Sequence, residues 1–270
     1  LISYNSRRFN GVKILFIGDI VGKPARIYIK EALPYLKKSL SLDFIIANGE
    51  NAAGGSSITP DTAEDLFASS IDVVTTGDHI FKKQEAKQVL ETKDVLRPLN
   101  YGELASGRGY MIKEANGKKI GVVNLLGRVF MPPMDCPFRA VRNIIEDLRS
   151  KVKVIIVDMH AEATSEKLAM GYFLSGKVTA VVGTHTHIPT ADERIIDDFT
   201  AYITDVGMTG SFDSVLGREK HQIIERFVTN MPVRFNLAQG DVRIQGVIIE
   251  ADESTGKAIS IKRVEYKQDA

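Results

Sequence analysis

The chain of 270 residues carries a single cysteine, Cys136, and only five histidines. One cysteine cannot build an intrachain disulfide framework, and such sparse use points to a reducing compartment, so a cytoplasmic location is expected. Cys136 lies in the turn-rich stretch Pro132–Pro133–Met134–Asp135–Cys136–Pro137, where a partly buried structural thiol is the plainest reading. No apolar run approaches the roughly 20 residues of a membrane span. The first ten residues include Arg7 and Arg8 but lack the apolar centre of a secretory signal. A surplus of charge is missing too. Thirty-five basic residues against 34 acidic give a formal +1, which argues against the strong basic surface of a non-specific nucleic-acid binder. Repeats, low-complexity tracts and long Pro/Ser/Gly linkers are absent from the sequence, so nothing divides it. With 44% hydrophobic residues it can bury a substantial core. Residues 12–270 read as one domain, behind an N-terminal extension at 1–11 that is either added to the native chain or without fixed structure.

What the sequence does have is a recurring pattern: an apolar run that ends in a residue able to ligate a metal. Ile14–Leu15–Phe16–Ile17 leads into Gly18–Asp19, and Phe44–Ile45–Ile46–Ala47 into Asn48–Gly49–Glu50–Asn51. Val73–Val74–Thr75–Thr76 leads into Gly77–Asp78–His79, and Val154–Ile155–Ile156–Val157 into Asp158–Met159–His160. The last run, Thr179–Ala180–Val181–Val182, precedes Gly183–Thr184–His185–Thr186–His187, whose paired histidines look like half of a metal site. Helices separate several of these strands. One is expected over Pro24–Lys38, with Ile27, Leu33 and Leu36 inward and Pro34 an internal irregularity. Another starts at Thr59–Pro60–Asp61, where Thr59 caps and Pro60 suits the first turn, and ends near Ser70. A third runs from Pro137 to about Ser150. In such an α/β arrangement the carboxyl ends of the strands open on one crevice, so residues from Asp19 to His187 can meet.

Asn116–Gly117 between two apolar stretches marks a hairpin, because both residues tolerate positive φ. Beyond Thr200 the pattern changes to strands at Thr200–Ile203, Val233–Leu237, Val242–Glu250 and Ala258–Val264, interrupted by one helix near Arg218–Thr229. This end reads as an antiparallel meander packed on the earlier sheet, giving two sheets between helices.

Each polar residue also has a plain structural role open to it. Asp19 suits a helix cap, Asn51 a turn, and the histidines hydrogen-bonded core positions. Glu50 is harder to place so, because an unpaired carboxylate after a nearly unbroken apolar run is costly. Glu162 and Glu166 suit either partners of the ligands or the favourable first turn of a helix. Asp205 suits a turn or the orientation of a histidine. Arg128 suits a substrate phosphate or a surface ion pair, and His221 an exposed helical position. Other signatures fail. Gly18–Asp19–Ile20–Val21–Gly22–Lys23–Pro24 is one residue short of a phosphate loop and has Pro24 where a hydroxyl is needed. Gly102, Gly107 and Gly109 make no dinucleotide fingerprint, and no serine nucleophile elbow is present.

In order and spacing, these motifs resemble the calcineurin-like metallophosphoesterases. Asn48 to Ala53, His160–Ala161–Glu162–Ala163–Thr164–Ser165–Glu166–Lys167 and Thr204–Asp205–Val206–Gly207–Met208–Thr209–Gly210 resemble the YmdB-like branch, and the likeness covers nearly everything after residue 11. It implies an α/β fold, a four-layer α/β/β/α sandwich of two mixed sheets flanked by helices. It also implies a binuclear metal centre with Glu50 bridging. Asp19, Asn51 and His187 would complete one position, and Asp78, His160 and His185 the other. Mixed nitrogen and oxygen donors suit divalent or trivalent iron or manganese, with zinc also compatible. The implied activity is phosphodiester hydrolysis, with cyclic nucleotides as the expected substrates, by a hydroxide bridging the two ions, with His79 as general acid.

One position departs from the family, which usually has Gly-Asn-His where this chain has Gly77–Asp78–His79. The extra negative charge should tighten metal binding, weaken the acidity of metal-bound water and favour the acid form of His79. Two alternatives therefore stand beside the first. One is a metal-binding regulatory or interaction protein whose catalysis is weak because of Asp78. The other is a phosphodiesterase acting on short RNA or DNA ends. The expected partner is a small phosphoester, with no stable nucleic-acid complex and no membrane; a homo-oligomer is compatible with the sequence.

Overall fold

The computed structural model describes residues 11–267, so the expected extension, apart from Gly11, lies outside the described residues. The chain opens with β1 (Gly11–Ile17), β2 (Asp19–Ile20), α1 (Gly22–Ser39), β3 (Phe44–Asn48), α2 (Pro60–Ala68), β4 (Val73–Thr75) and α3 (Ala86–Thr92). Its middle holds β5 (Tyr110–Ala115), β6 (Lys118–Leu126), α4 (Pro137–Lys151), β7 (Val154–His160), α5 (Thr164–Phe173), β8 (Ala180–Thr184), β9 (Arg194–Ile196) and β10 (Thr200–Ile203). The last part comprises β11 (Met208–Ser211), α6 (Lys220–Thr229), β12 (Val242–Asp252) and β13 (Ala258–Tyr266).

Two mixed sheets result. The first runs β2-β11-β12-β1-β3-β4, with β13 also paired to β12, and the second runs β5-β6-β7-β8-β10-β9. β1, β3 and β4 are parallel to one another, as are β6, β7, β8 and β10. Alternation along the strands then sorts side chains into layers. In β1, Ile14 and Phe16 point into the space between the sheets and meet Ile120, Ile156 and Val182. Leu15 and Ile17 point the other way, onto Ile29 and Leu33 of α1 and Leu66 of α2. Across the second sheet, Ile155 and Val157 pack on Val141 and Ile145 of α4 and Met170 of α5. The order helices, sheet, sheet, helices is the four-layer α/β/β/α sandwich. Each large aliphatic side chain so buried contributes roughly 1.5–3 kcal/mol.

Local signals behave as their chemistry requires. Thr59 accepts from Thr62 N–H, and Thr62 returns the bond to Thr59 N–H, closing a capping box with Pro60 in the first turn. Asn116 and Gly117 sit at φ 52° and 73°, the twist a two-residue hairpin needs. Pro34 does not break α1, because Pro34 and Lys30, whose carbonyl loses its N–H partner, are both exposed to water. Three expectations are corrected. Ile27 is 49% exposed rather than inward. Val233–Leu237 forms no strand; only an isolated bridge from Leu237 to Arg218 remains. The C-terminal strands do not form a separate meander either. β12 inserts antiparallel between β11 and β1, pairing Ile14 with Ile249 and Phe16 with Val247, while β10 joins the other sheet. Among the described residues no helix is long and apolar enough to cross a membrane.

Candidate metal centre and its cleft

The carboxyl ends of β1, β3 and β4 meet those of β7 and β8, and the donor types divide by sheet. The first sheet brings the carboxylates Asp19, Glu50 and Asp78 together with Asn51 and His79; the second brings His160, His185 and His187. All seven residues expected as ligands come together around Glu50, which is 1% exposed. On one side, Glu50 Oε1 lies 3.2 Å from His160 Nε2, and Asp78 Oδ1 lies 3.5 Å from the same nitrogen and 3.7 Å from His185 Nδ1. One ligand atom from each of Glu50, Asp78, His160 and His185 falls within 4.8 Å of all the others. On the other side, His187 Nε2 lies 3.2 Å from Asn51 Nδ2 and 3.8 Å from Asp19 Oδ1, and Asn51 Nδ2 donates to Glu50 Oε1 at 3.2 Å. The two histidines one residue apart thus face different halves of one cluster.

Donors among the described residues leave two oxygens of this cluster unsatisfied. Asp19 Oδ1 and Asp78 Oδ1 are buried without a hydrogen-bond partner, a costly state for a carboxylate unless a cation is to be received. Burial pushes the Asp19 carboxyl up to about 7. Burial also works to raise Glu50, but His160 and His79 outweigh it and hold the carboxyl well below its usual range. The His160 ring shows the converse: burial works to lower it, and Glu50, Asp78 and Asp19 raise it well above an ordinary histidine. His185 is pushed down to about 4 by burial and by His160, and His187 is lowered chiefly by burial, so both offer neutral lone pairs near pH 7. Three converging carboxylates with the neutral imidazoles of His185 and His187 fit a hard or borderline cation.

Close approach explains two glycines. A Cβ at Gly77 would collide with the His160 ring and Glu50, and a Cβ at Gly183 with the Thr204 carbonyl. After Gly183 the chain turns sharply, with His185 at φ 100° and His187 at 65°. Side chains from elsewhere hold this unfavourable backbone. His185 N–H donates to Asp19 Oδ2 at 3.1 Å, and Thr186 N–H to Asp205 Oδ2 at 3.1 Å. Asp205 is itself paired with Lys167 Nζ at 2.7 Å, both side chains almost fully buried. Asp205 therefore supports the histidine turn without joining the ligand cluster, and it also accepts from Gly207 N–H at 2.9 Å.

A second support had only a faint sequence signal, an acid two residues before a histidine in an apolar strand. Buried Asp158, pushed up to about 6 by burial, accepts from Thr184 Oγ1 at 2.7 Å. With that proton committed, Thr184 Oγ1 accepts from His160 Nδ1 at 2.8 Å, leaving His160 Nε2 to face Glu50 and Asp78. The glutamates also separate. Glu166 accepts from Arg128 N–H at 3.0 Å and anchors the loop after β6, whereas Glu162 Oε2 lies 3.2 Å from His185 Nε2 at the rim. The Arg128 side chain is exposed, and His221 is 74% exposed on α6.

His79 sits at the mouth of the cluster. Its N–H donates to Glu50 Oε2 at 3.1 Å, its Nδ1 lies 3.2 Å from Asn51 Oδ1, and its Nε2 lies 3.5 Å from Asp78 Oδ2. The ring itself also meets Glu50, Nδ1 to Oε1 at 3.4 Å, and this contact raises its pKa, favouring the protonated ring. Glu50, Asn51, His79, His185 and His187 all open into a cleft of about 620 Å³. The opposite wall was not foreseen from the sequence: it comes from α6 and the segments on either side of it, with Val215, Leu216, Ile223, Phe227 and Phe235.

A model of the YmdB-like protein family matches residues 15–264. A 2′,3′-cyclic-nucleotide 2′-phosphodiesterase of Bacillus subtilis strain 168 is 46% identical over 96% of this chain and 98% of its own length. The crystal structure of a novel phosphatase from Mycoplasma pneumoniae superposes with a TM-score of 0.89 at 36% identity, covering 97% of this chain and 95% of that one. A 5′-nucleotidase precursor from Thermus thermophilus shares the fold at a TM-score of 0.59 and 10% identity, over 95% of this chain and 54% of the other. With its motifs, its layered sheets and a family match over almost all of its length, the chain belongs to the YmdB-like family.

Proposed function

We propose that this phosphoesterase hydrolyses 2′,3′-cyclic nucleotides at a two-metal centre held by Asp19, Glu50, Asn51, Asp78, His160, His185 and His187. The observation that carries the reading is the convergence on Glu50 of two buried carboxylate oxygens, on Asp19 and Asp78, that have no hydrogen-bond partner among the described residues. The cyclic-nucleotide substrate follows from the relative 46% identical to this chain. Two bound cations, iron or manganese by donor type and zinc by compatibility, would neutralise the phosphate oxygens and supply an activated water. Glu50 lies between the two half-sites, and a half-turn of the Asn51 amide would point its oxygen at the His187 side. Water adds to phosphorus and gives up one proton to solvent as the bond to the ribose oxygen breaks, and protonated His79 delivers its proton to that leaving oxygen. The reading takes residues 12–270 as one working domain in the cytoplasm, acting on a small substrate.

The test is metal content together with turnover of adenosine 2′,3′-cyclic phosphate, after restoring Mn²⁺ or Fe²⁺, for the wild type, His79→Ala and Asp78→Asn. The wild type is expected to hold two equivalents and turn over. His79→Ala is expected to keep both and lose roughly 10²–10⁴-fold in kcat. Two equivalents without wild-type turnover, with turnover appearing in Asp78→Asn, would overturn the enzyme reading in favour of a metal-binding regulator. Faster turnover of short oligonucleotides would shift the substrate to nucleic-acid ends.

A further inference from the structure

The cleft is far larger than a phosphate group, and its two ends differ in chemistry. One end is the ligand cluster. The other is a shelf of Val215, Leu216, Ile223, Phe227 and Phe235, on which Leu216 is 41%, Phe227 83% and Phe235 37% exposed. Exposed aromatic surface costs free energy unless something covers it, and here it continues directly into a site for a charged group.

The shelf is registered to the reacting end. The Leu216 carbonyl lies 3.3 Å from His187 Nδ1, so the loop that presents Leu216 touches a proposed ligand directly. Leu216 itself sits at φ 53°, fixed by Gly217 N–H donating to Ser214 Oγ at 2.8 Å. Arg218 Nη2 donates to the Gly55 carbonyl at 2.6 Å, tying this loop to the one that follows Glu50 and Asn51. The segment carrying Phe235 is bound to the start of α6 through Asn236, whose N–H donates to Gln222 Oε1 at 2.6 Å and whose carbonyl accepts from Glu219 N–H at 3.1 Å. On the far side Arg226 donates to the Met231 carbonyl at 3.3 Å and to Asn230 Oδ1 at 3.1 Å. Arg218 thus braces the wall through a main-chain carbonyl, and Arg226 through a carbonyl and a side-chain amide.

We propose that this shelf is a nucleobase subsite, on which Phe227 and Phe235 stack a heteroaromatic ring while the phosphate lies at the Glu50 cluster. The inference rests on the proposed nucleotide substrate and adds what recognises the base. Stacking on an aromatic face is tolerant, because every base has a π-face. The shelf side chains are apolar and carry no hydrogen-bonding groups to read a base edge. Stacking on the shelf therefore follows ring area and favours purines over pyrimidines.

Two measurements test this, and they fail independently of the parent reading. The first is NMR titration with adenosine and with ribose, neither of which has a phosphoester to hydrolyse. Adenosine should saturate the site and ribose should not; Phe227→Ala and Phe235→Ala should each weaken adenosine by roughly tenfold, and Phe227→Tyr should restore it. The second is the ratio of kcat/KM for adenosine 2′,3′-cyclic phosphate to that for glycerol 1,2-cyclic phosphate, expected to fall toward one in both alanine variants. Equal binding of adenosine and ribose, or adenosine binding indifferent to both alanine variants, would overturn the subsite even if the cyclic phosphates are hydrolysed. Base-dependent binding without turnover would retain the subsite and reject the hydrolase reading.

Discussion

The two walls of the cleft are built on opposite principles. The metal-side wall consists of strand ends rooted in the double-sheet core, and several of its groups are held by buried supports behind them: Asp158 through Thr184 sets His160, and Lys167 through Asp205 sets Thr186. The facing wall is α6, none of whose residues is buried, with flanking loops tied down mainly through main-chain groups. Rigidity is concentrated where reacting groups must keep their geometry. Variation is inexpensive where the remainder of a substrate is met, because α6 adds almost nothing to the core.

Substitutions can break this contrast at its strongest point first. Glu50→Ala removes the one carboxylate that faces both half-sites; metal analysis should find both positions depleted and kcat lower by roughly 10³-fold or more. Lys167→Met leaves Asp205 buried without its cation, which should cost about 3–5 kcal/mol in denaturant unfolding and weaken metal binding by releasing Thr186. The equivalent insult on the other wall, Phe227→Ser, should change stability by no more than about 0.5 kcal/mol. If the two changes destabilise alike, the contrast between the walls is false.

The smallest effect concerns pH. Burial works to raise Asp192, but hydrogen bonds from Thr190 and Thr204 outweigh it and lower its pKa. A depressed carboxyl stabilises the fold above the unfolded value, about 3.9, and that contribution is lost as pH falls through the folded value. Asp192→Asn should therefore flatten the acid limb of the stability profile below about pH 4 and leave stability unaltered in shape at neutral pH.

The metal-side wall was legible in the sequence because its signal is local: an apolar run that ends in Asp, Glu or His states both the strand and what its end presents. Its supports were less visible. Lys167 sits in a helix where lysine normally faces water, and only the fold shows that it is buried against Asp205, 38 residues away. The α6 wall was misread for a related reason. Val233, Phe235 and Leu237 alternate like a strand, yet among the described residues the segment makes only the single bridge from Leu237 to Arg218, and Phe235 lines the cleft instead. The insertion of β12 between β11 and β1 depends on pairing over more than 200 residues of separation, which no local pattern encodes.

The division of donors between the sheets has a thermodynamic consequence. The candidate oxygen ligands stand on one sheet and the candidate imidazoles on the other, so an ion bound among them would act as a rivet through the inter-sheet core. Metal affinity and sheet–sheet packing are then linked functions. Chelation should lower the melting temperature of the whole protein, and trimming a buried side chain such as Phe16, remote from any ligand, should make the ion easier to remove.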